Sequence, residues 1–297
     1  MLGASAASAL ERVPVGEVVV EAAGDELFVE AMRIALVRVT GRRSAADDPV
    51  FEPLRRDARR FVQLFLPAAG SSPARVTFDS AALTGAVKAL GQPVWGEWRP
   101  VVLAVVLSAP LGADPQAVRL ALERSAAERG LPLRLSAASA VGLAGVGELT
   151  ADLALAAARR VGADAALVAE SDGSDWQWTL FEGAGSTAFS GGTTAGIEAA
   201  VDWFALSDQA SSARPVESLQ VRIVGIGSLK EYTAVERALA LLPGAGRVDP
   251  LELEGSSAVF KLEVSGGASG LAEALSRSGR FTRETARGSV PVFRYRP

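Results

Sequence analysis

Two glycines ahead of a helix start, Gly225 and Gly227 in the run Gly-Ile-Gly-Ser-Leu-Lys, come closest to a known chemistry. Amides left open between a strand and a helix, with the helix dipole behind them, hold phosphate groups. Ser228 and Lys230 would add a hydroxyl and a cation, and Asp249 follows near the distance at which dinucleotide folds place the acid that binds ribose. Lys230 stands where the third glycine of that fingerprint would be, and Ser228 with Glu231 has capping-box spacing, so an ordinary capped turn is the competing reading. Glu170, Asp172 and Asp175 supply three carboxylates around Gly173 and could bind calcium through oxygen, but the EF-hand spacing is not met and a solvated turn competes. Trp176 and Trp178 share one side of a strand and, with Trp203, could form a recognition patch; such a pair also packs under a helix. Arg55, Arg56, Arg59 and Arg60 form the densest basic group, yet Glu52 and Asp57 interleave with them, which reads as a salt-bridged helix face with Glu52 and Arg56 paired one turn apart.

What is missing narrows the chemistry further. The chain has no His and no Cys, which removes imidazole bases, thiol nucleophiles, disulfides and the usual zinc ligands. Neither G-x-S-x-G nor S-x-x-K occurs, and Lys88, Lys230 and Lys261 are the only lysines. No catalytic residue is assigned, no cofactor or metal is expected, and an enzyme is disfavoured.

The elements that must position these groups are legible from punctuation and periodicity. With 297 residues, 49% hydrophobic and 22% charged, the chain has apolar area for two or three small cores. Residues 10–98 predict an α+β domain: a strand over 13–20, a helix from Glu26 to Val39 stopped by Gly41, strands over 61–66 and 74–78, and a helix over 80–90. Residues 99–206 predict a parallel β-α-β-α-β unit, with strands over 101–108, 131–135 and 165–169, then a hairpin through Glu182–Gly185 and a helix over 195–206. Asp114-Pro115 opens the first of its helices and Gly130 closes it. The serine-rich run 207–215 predicts a linker, and 216–297 a ferredoxin-like β-α-β-β-α domain ending in a strand over 290–295. The fold class expected is therefore α/β or α+β in three modules.

Several segments carry a family likeness: VTGR at 39–42, RFVQLF at 60–65, GQPVWGEWRPVVLAVV at 91–106, VGADAALVAE at 161–170 with WQWTLF after it, and VGIGSLKEYTAVERALALLPG at 224–244. Together they resemble the uncharacterised proteobacterial family catalogued as domain of unknown function 2066, over about residues 11–280. That resemblance implies an exported protein and supplies no catalytic residues. The middle unit is more weakly similar to envelope proteins of the Tol-translocation and curli-lipoprotein type, and the first two units in tandem to the periplasmic flagellar T family; both likenesses imply domains used for protein contacts.

Location follows from the ends and the charge. Residues 1–9 close on Ala7-Ser8-Ala9, a signal-peptidase pattern without its basic start, read as a signal-peptide remnant. Apolar runs such as Val101–Leu107 fall short of the roughly 20 residues of a membrane-spanning helix. A net charge of −4 offers no field for nucleic acid. The expectation is a periplasmic, non-enzymatic interaction or assembly factor whose partner is another envelope protein, bound at a sheet edge or an interdomain groove. A phosphate- or nucleotide-binding enzyme using Gly225–Lys230 and a small-ligand carrier built on Trp176 and Trp178 are the alternatives.

Overall fold

Helices begin where a side chain can settle the first free amides. Asp114 accepts from the amide of Gln116 at 3.0 Å with Pro115 in the first turn, and Gly130, at φ 68°, closes the helix Pro115–Arg129 (α4). Asp79 caps Ser80–Ala89 (α3) through the Ala82 amide, and Thr150 caps Ala151–Arg160 (α5) through that of Leu153. The computed structural model describes residues 10–21, 24, 26–69, 73–171, 173, 175–183, 185–212, 216–240, 242, 244–278, 280–284 and 290–296. They form an α+β protein in two compact units, one of Glu11–Leu206 and one containing Ser207–Pro297.

In the first unit Glu11–Arg12 (β1) pairs with Trp98–Arg99 (β5), while Glu17–Val20 (β2), Val62–Leu66 (β3) and Ala74–Phe78 (β4) make an antiparallel sheet in the order β2-β4-β3. Alternation sends Val18, Val20, Val76 and Phe78 to one face, where they join Ala35 and Leu36 of Glu26–Thr40 (α1) and Leu83 and Val87 of α3 in one core. The strand expected over 13–20 starts only at Glu17. The amides of Val15 and Glu17 turn back onto Val13 and Pro14, and proline has no N–H to give a ladder. Between α1 and β3 the chain makes short 3₁₀ turns and the five-residue helix Glu52–Arg56 (α2). There Arg55, not Arg56, pairs with Glu52, at 2.9 Å, and Arg55 is buried, donating also to the carbonyls of Ala46 and Asp48. The expected wholly solvated basic face is thus split, and Arg55 staples this turn from inside.

The second sheet of this unit is built on Val102–Val106 (β6), buried along nearly its whole length as a central parallel strand requires. Leu133–Leu135 (β7) and Ala165–Ser171 (β8) lie parallel on its two sides, and the antiparallel hairpin of Trp176–Glu182 (β9) and Gly185–Gly191 (β10) completes the order β10-β9-β8-β6-β7. Helices α4 and Ala195–Ser212 (α6) contribute Leu122, Ala126, Ile197 and Val201 to its core. Helix α6 continues to Ser212, through most of the segment expected as a linker; residues 213–215 lie outside the described residues.

One buried cation ties together the ends of α1 and α4, helices that pack on the two larger sheets of this unit. Arg99, fully buried, donates to the carbonyls of Arg38 (2.5 Å), Gly96 (2.9 Å), Gly130 (2.7 Å) and Arg129 (3.2 Å), and its guanidinium lies 3.7 Å from the centroid of the Trp95 ring. Those of Arg38, Arg129 and Gly130 belong to the C-terminal ends of α1 and α4, where orphan acceptors and the negative pole of the helix coincide, and that of Gly96 to the loop before β5. Gly130 has to be glycine here, because a Cβ would stand 2.5 Å from the Arg99 guanidinium on a backbone already left-handed.

The second unit has Val216–Val224 (β11), Leu229–Ala240 (α7), the hairpin Ala245–Glu254 (β12) and Ser257–Ser265 (β13), Gly267–Arg277 (α8), then Phe281–Glu284 (β14) and Val292–Tyr295 (β15). Its sheet runs β12-β13-β11-β15-β14. The first three strands keep the ferredoxin-like arrangement expected, but the following pair departs from it. An unforeseen strand, β14, takes the edge, and β15 turns back between it and β11, lying parallel to β11. Only four residues long, with Arg283 and Glu284 in it, β14 has too little apolar alternation to read as a strand.

Candidate functional site

A strand at the edge of a sheet leaves one row of backbone N–H and C=O groups unpaired, and natural proteins blunt such edges with charge, proline, bulges or brevity. Among the described residues, most edges are blunted in these ways. β12 carries Pro250, Asp249, Glu252 and Glu254 and two register shifts; β14 has Arg283 and Glu284. β7 is three residues long with Arg134 paired to Glu11 at 2.6 Å, and β2 opens on Glu17, whose carbonyl accepts from Arg38 at 2.5 Å. β10 is uncharged, but its exposed positions are Gly185, Ser186, Ala188 and Ser190, with little apolar area to bury.

β3 differs from all of these. Its sequence, Val-Gln-Leu-Phe-Leu, has no charge and no proline, and Leu64, Phe65 and Leu66 are 51%, 39% and 47% exposed. Register fixes which way each one faces. Leu66 lies opposite Arg75, which lies opposite the exposed Val19, so these side chains form one row on the sheet face away from the helices, with Leu64 beside them opposite Thr77. Phe65, opposite the buried Val76, points to the helix side, where its ring meets that of Phe28 at 5.2 Å; the Arg59 guanidinium covers the other ring at 4.7 Å. Gln63 falls at the one irregularity in the β3-β4 ladder.

Beside the start of β3 is an open cleft of about 500 Å³ lined by Arg12, Glu17, Gln63, Thr77, Asp79 and Ser80, among others. Its ionic groups already have work to do: Arg12 pairs with Glu97 at 2.9 Å, and Asp79 caps α3. The Asp79 carboxyl is held below the ordinary carboxylate value, chiefly because the Ala82 amide bonds its charged form, with help from the Gln63 side chain and the Ala81 amide. A carboxylate so engaged is a poor general base.

The groups singled out in the sequence fare differently. At the glycine loop, the Gly227 amide donates to the Glu231 carboxylate at 2.6 Å, Ser228 Oγ accepts from the Glu231 amide at 3.2 Å, and the amides of Gly225 and Ile226 both donate to the Ser256 carbonyl. The capping box fills the place of a phosphate with the chain's own anion, so the phosphate-loop reading is corrected to a capped turn, with Lys230 exposed beside it. Glu170 and Asp175 are exposed, Asp172 lies outside the described residues, and among the described residues no group of three acids could hold a metal ion. Trp176 and Trp178 are buried and stack at 5.7 Å, with Gly196 of α6 packed directly on the Trp178 ring. They are core side chains and not an exposed recognition patch. Trp203 stands apart from them, 41% exposed, its indole N–H donating to Glu182 at 2.9 Å.

The candidate site is thus an exposed apolar edge strand on a mixed α+β protein, and sequence reasoning missed it. The signal was present: apolar residues at successive positions of a short strand contradict the alternation of a half-buried one. Residues 9–96, which include β3, match the family described as Domain of unknown function (DUF8605), somewhat under a third of the chain. That finding overturns the expected resemblance to domain of unknown function 2066, a different family. No curated protein and no solved structure matches the chain.

Proposed function

We propose that the protein is a non-enzymatic interaction or assembly factor of the periplasm that docks a partner protein along β3. The observation that carries this reading is the bare apolar edge of β3, with Leu64, Phe65 and Leu66 held out to solvent beside an unpaired backbone row. Strand addition uses such an edge: main-chain bonds give affinity and alternate side chains give selectivity. The periplasm is supported by the Ala7-Ser8-Ala9 pattern, and a chain of this size can be stable there without disulfides.

The test is a photo-reactive residue placed at Leu66 in the full chain in its native host, with Leu253 of the second unit as control position, followed by fractionation. The reading predicts one discrete adduct from position 66, in the periplasmic fraction, lost in the Leu64→Glu/Leu66→Glu variant. Cytoplasmic location, or equal adducts from both positions, would contradict it.

A further inference from the structure

Resting on that reading, we propose that the docked element is an extended apolar segment of a partner protein flanked by acidic residues, added to β3 as a fourth strand of the sheet. The apolar part follows from the two faces of β3. A strand laid beside it would have Leu64 and Leu66 next to it on the open face and Phe65 with Phe28 on the helix side, so both alternating sets of its side chains meet hydrocarbon. A half-polar strand would leave one of these sets without a match.

The acidic flanks follow from charge. The chain as a whole is −4, yet Arg56 and Arg60 are exposed in the turn leading into β3, and Arg75 is exposed beside Leu66 at its far end. Nearby acids offset this incompletely: Glu52 is engaged by Arg55, Asp57 is exposed among the arginines, and Glu17 is two strands away across Thr77. Guanidinium groups therefore stand near both ends of β3, Arg60 ahead of it and Arg75 on β4 across Leu66, and their field favours an acid at either end of the incoming strand, whichever way it runs. The same charges argue against a second copy of this chain as occupant. Antiparallel pairing of β3 with β3 would set Arg60 of one copy near Arg75 of the other.

The experiment uses the intact chain and synthetic end-blocked peptides of five alternating Val and Ile residues, flanked by two Glu or by two Lys at each end. Binding is followed through backbone amide resonances of Val62–Leu66. The Glu-flanked peptide should bind roughly three- to tenfold more tightly than the Lys-flanked one at low salt, the effect of two exposed ion pairs, with shifts confined to β3 and its neighbours. In the Arg60→Glu/Arg75→Glu variant, shown folded by circular dichroism, the order should reverse. Equal binding of the two peptides, no binding, or shifts centred on β10 would overturn the inference. The position-66 crosslink separates the two levels: an adduct there with no peptide preference removes the acidic strand and keeps the docking surface, whereas loss of that adduct removes both.

Discussion

Removing the Arg99 guanidinium should damage the first unit more than any other single polar change. In the Arg99→Met variant the hydrocarbon stem is largely kept, but the carbonyls of Arg38, Gly130 and Gly96, bonded at 2.5, 2.7 and 2.9 Å, lose a charged donor inside a buried site. A buried acceptor left unpaired costs about 1–3 kcal/mol, and neighbouring acceptors relax together, so the losses do not add in full. Loss of the cation over Trp95, 3.7 Å away, adds to them. The expected loss is about 3–5 kcal/mol, which for a unit of 150–250 residues lowers its melting temperature by roughly 6–20 °C. Scanning calorimetry of the intact chain reads this directly, because the transition of Glu11–Leu206 should move while that of the second unit stays in place. Arg99→Lys should recover less than half, since an ammonium cannot span carbonyls on two helices. A shift under about 1 kcal/mol for Arg99→Met, or equal movement of both transitions, would refute the assignment of Arg99 as the tie between α1 and α4.

Three further outcomes follow from particular contacts. Gly196→Ala would put a Cβ 2.2 Å from the Trp178 ring, so the variant should lose about 1–3 kcal/mol or more and alter the near-ultraviolet dichroism of the stacked tryptophans; an unchanged spectrum would deny their burial. Glu231→Ala should cost about 1 kcal/mol of cap stability, and calorimetry of the unaltered chain with millimolar ATP or phosphate should show no heat, because the loop's own carboxylate holds the Gly227 amide. Asp79 has its folded-state carboxyl below the unfolded value, so its contribution is present above about pH 4 and lost as pH falls through the lower folded value. Melting temperatures of Asp79→Ala and the unaltered chain should therefore converge in acid, and a gap that widens there would reverse the sign.

Much of the architecture could be read in advance where one residue type answers one local need. Asp114, Pro115 and Gly130 bracket α4, and the unbroken apolar run at 101–107 marks the central parallel strand. What escaped depends on which side of an element meets the rest of the chain. Trp176 and Trp178 had to share a side, but spacing alone leaves open whether that side faces a helix or water. Arg99 sits beside a proline in a strand-like run and gives no local sign that helix ends converge on it. The glycine loop carried two signals at once, and the nearer one, a carboxylate three residues into the helix, reached the amides first. The β3 edge was hidden for the opposite reason: a strand as apolar as β3 reads as core, and only its place at the edge of its sheet, with no strand beyond it among the described residues, exposes it.

Amide hydrogen exchange of the intact chain, free and with the protein captured by crosslinking at Leu66, bears most directly on the claim that β3 is a docking edge. Strand addition predicts that those amides of Val62–Leu66 that point away from β4 exchange rapidly in the free protein and become strongly protected in the complex, with those of β10, β12 and β14 unchanged. Protection that bypasses β3, or appears equally on those other edges, would contradict it.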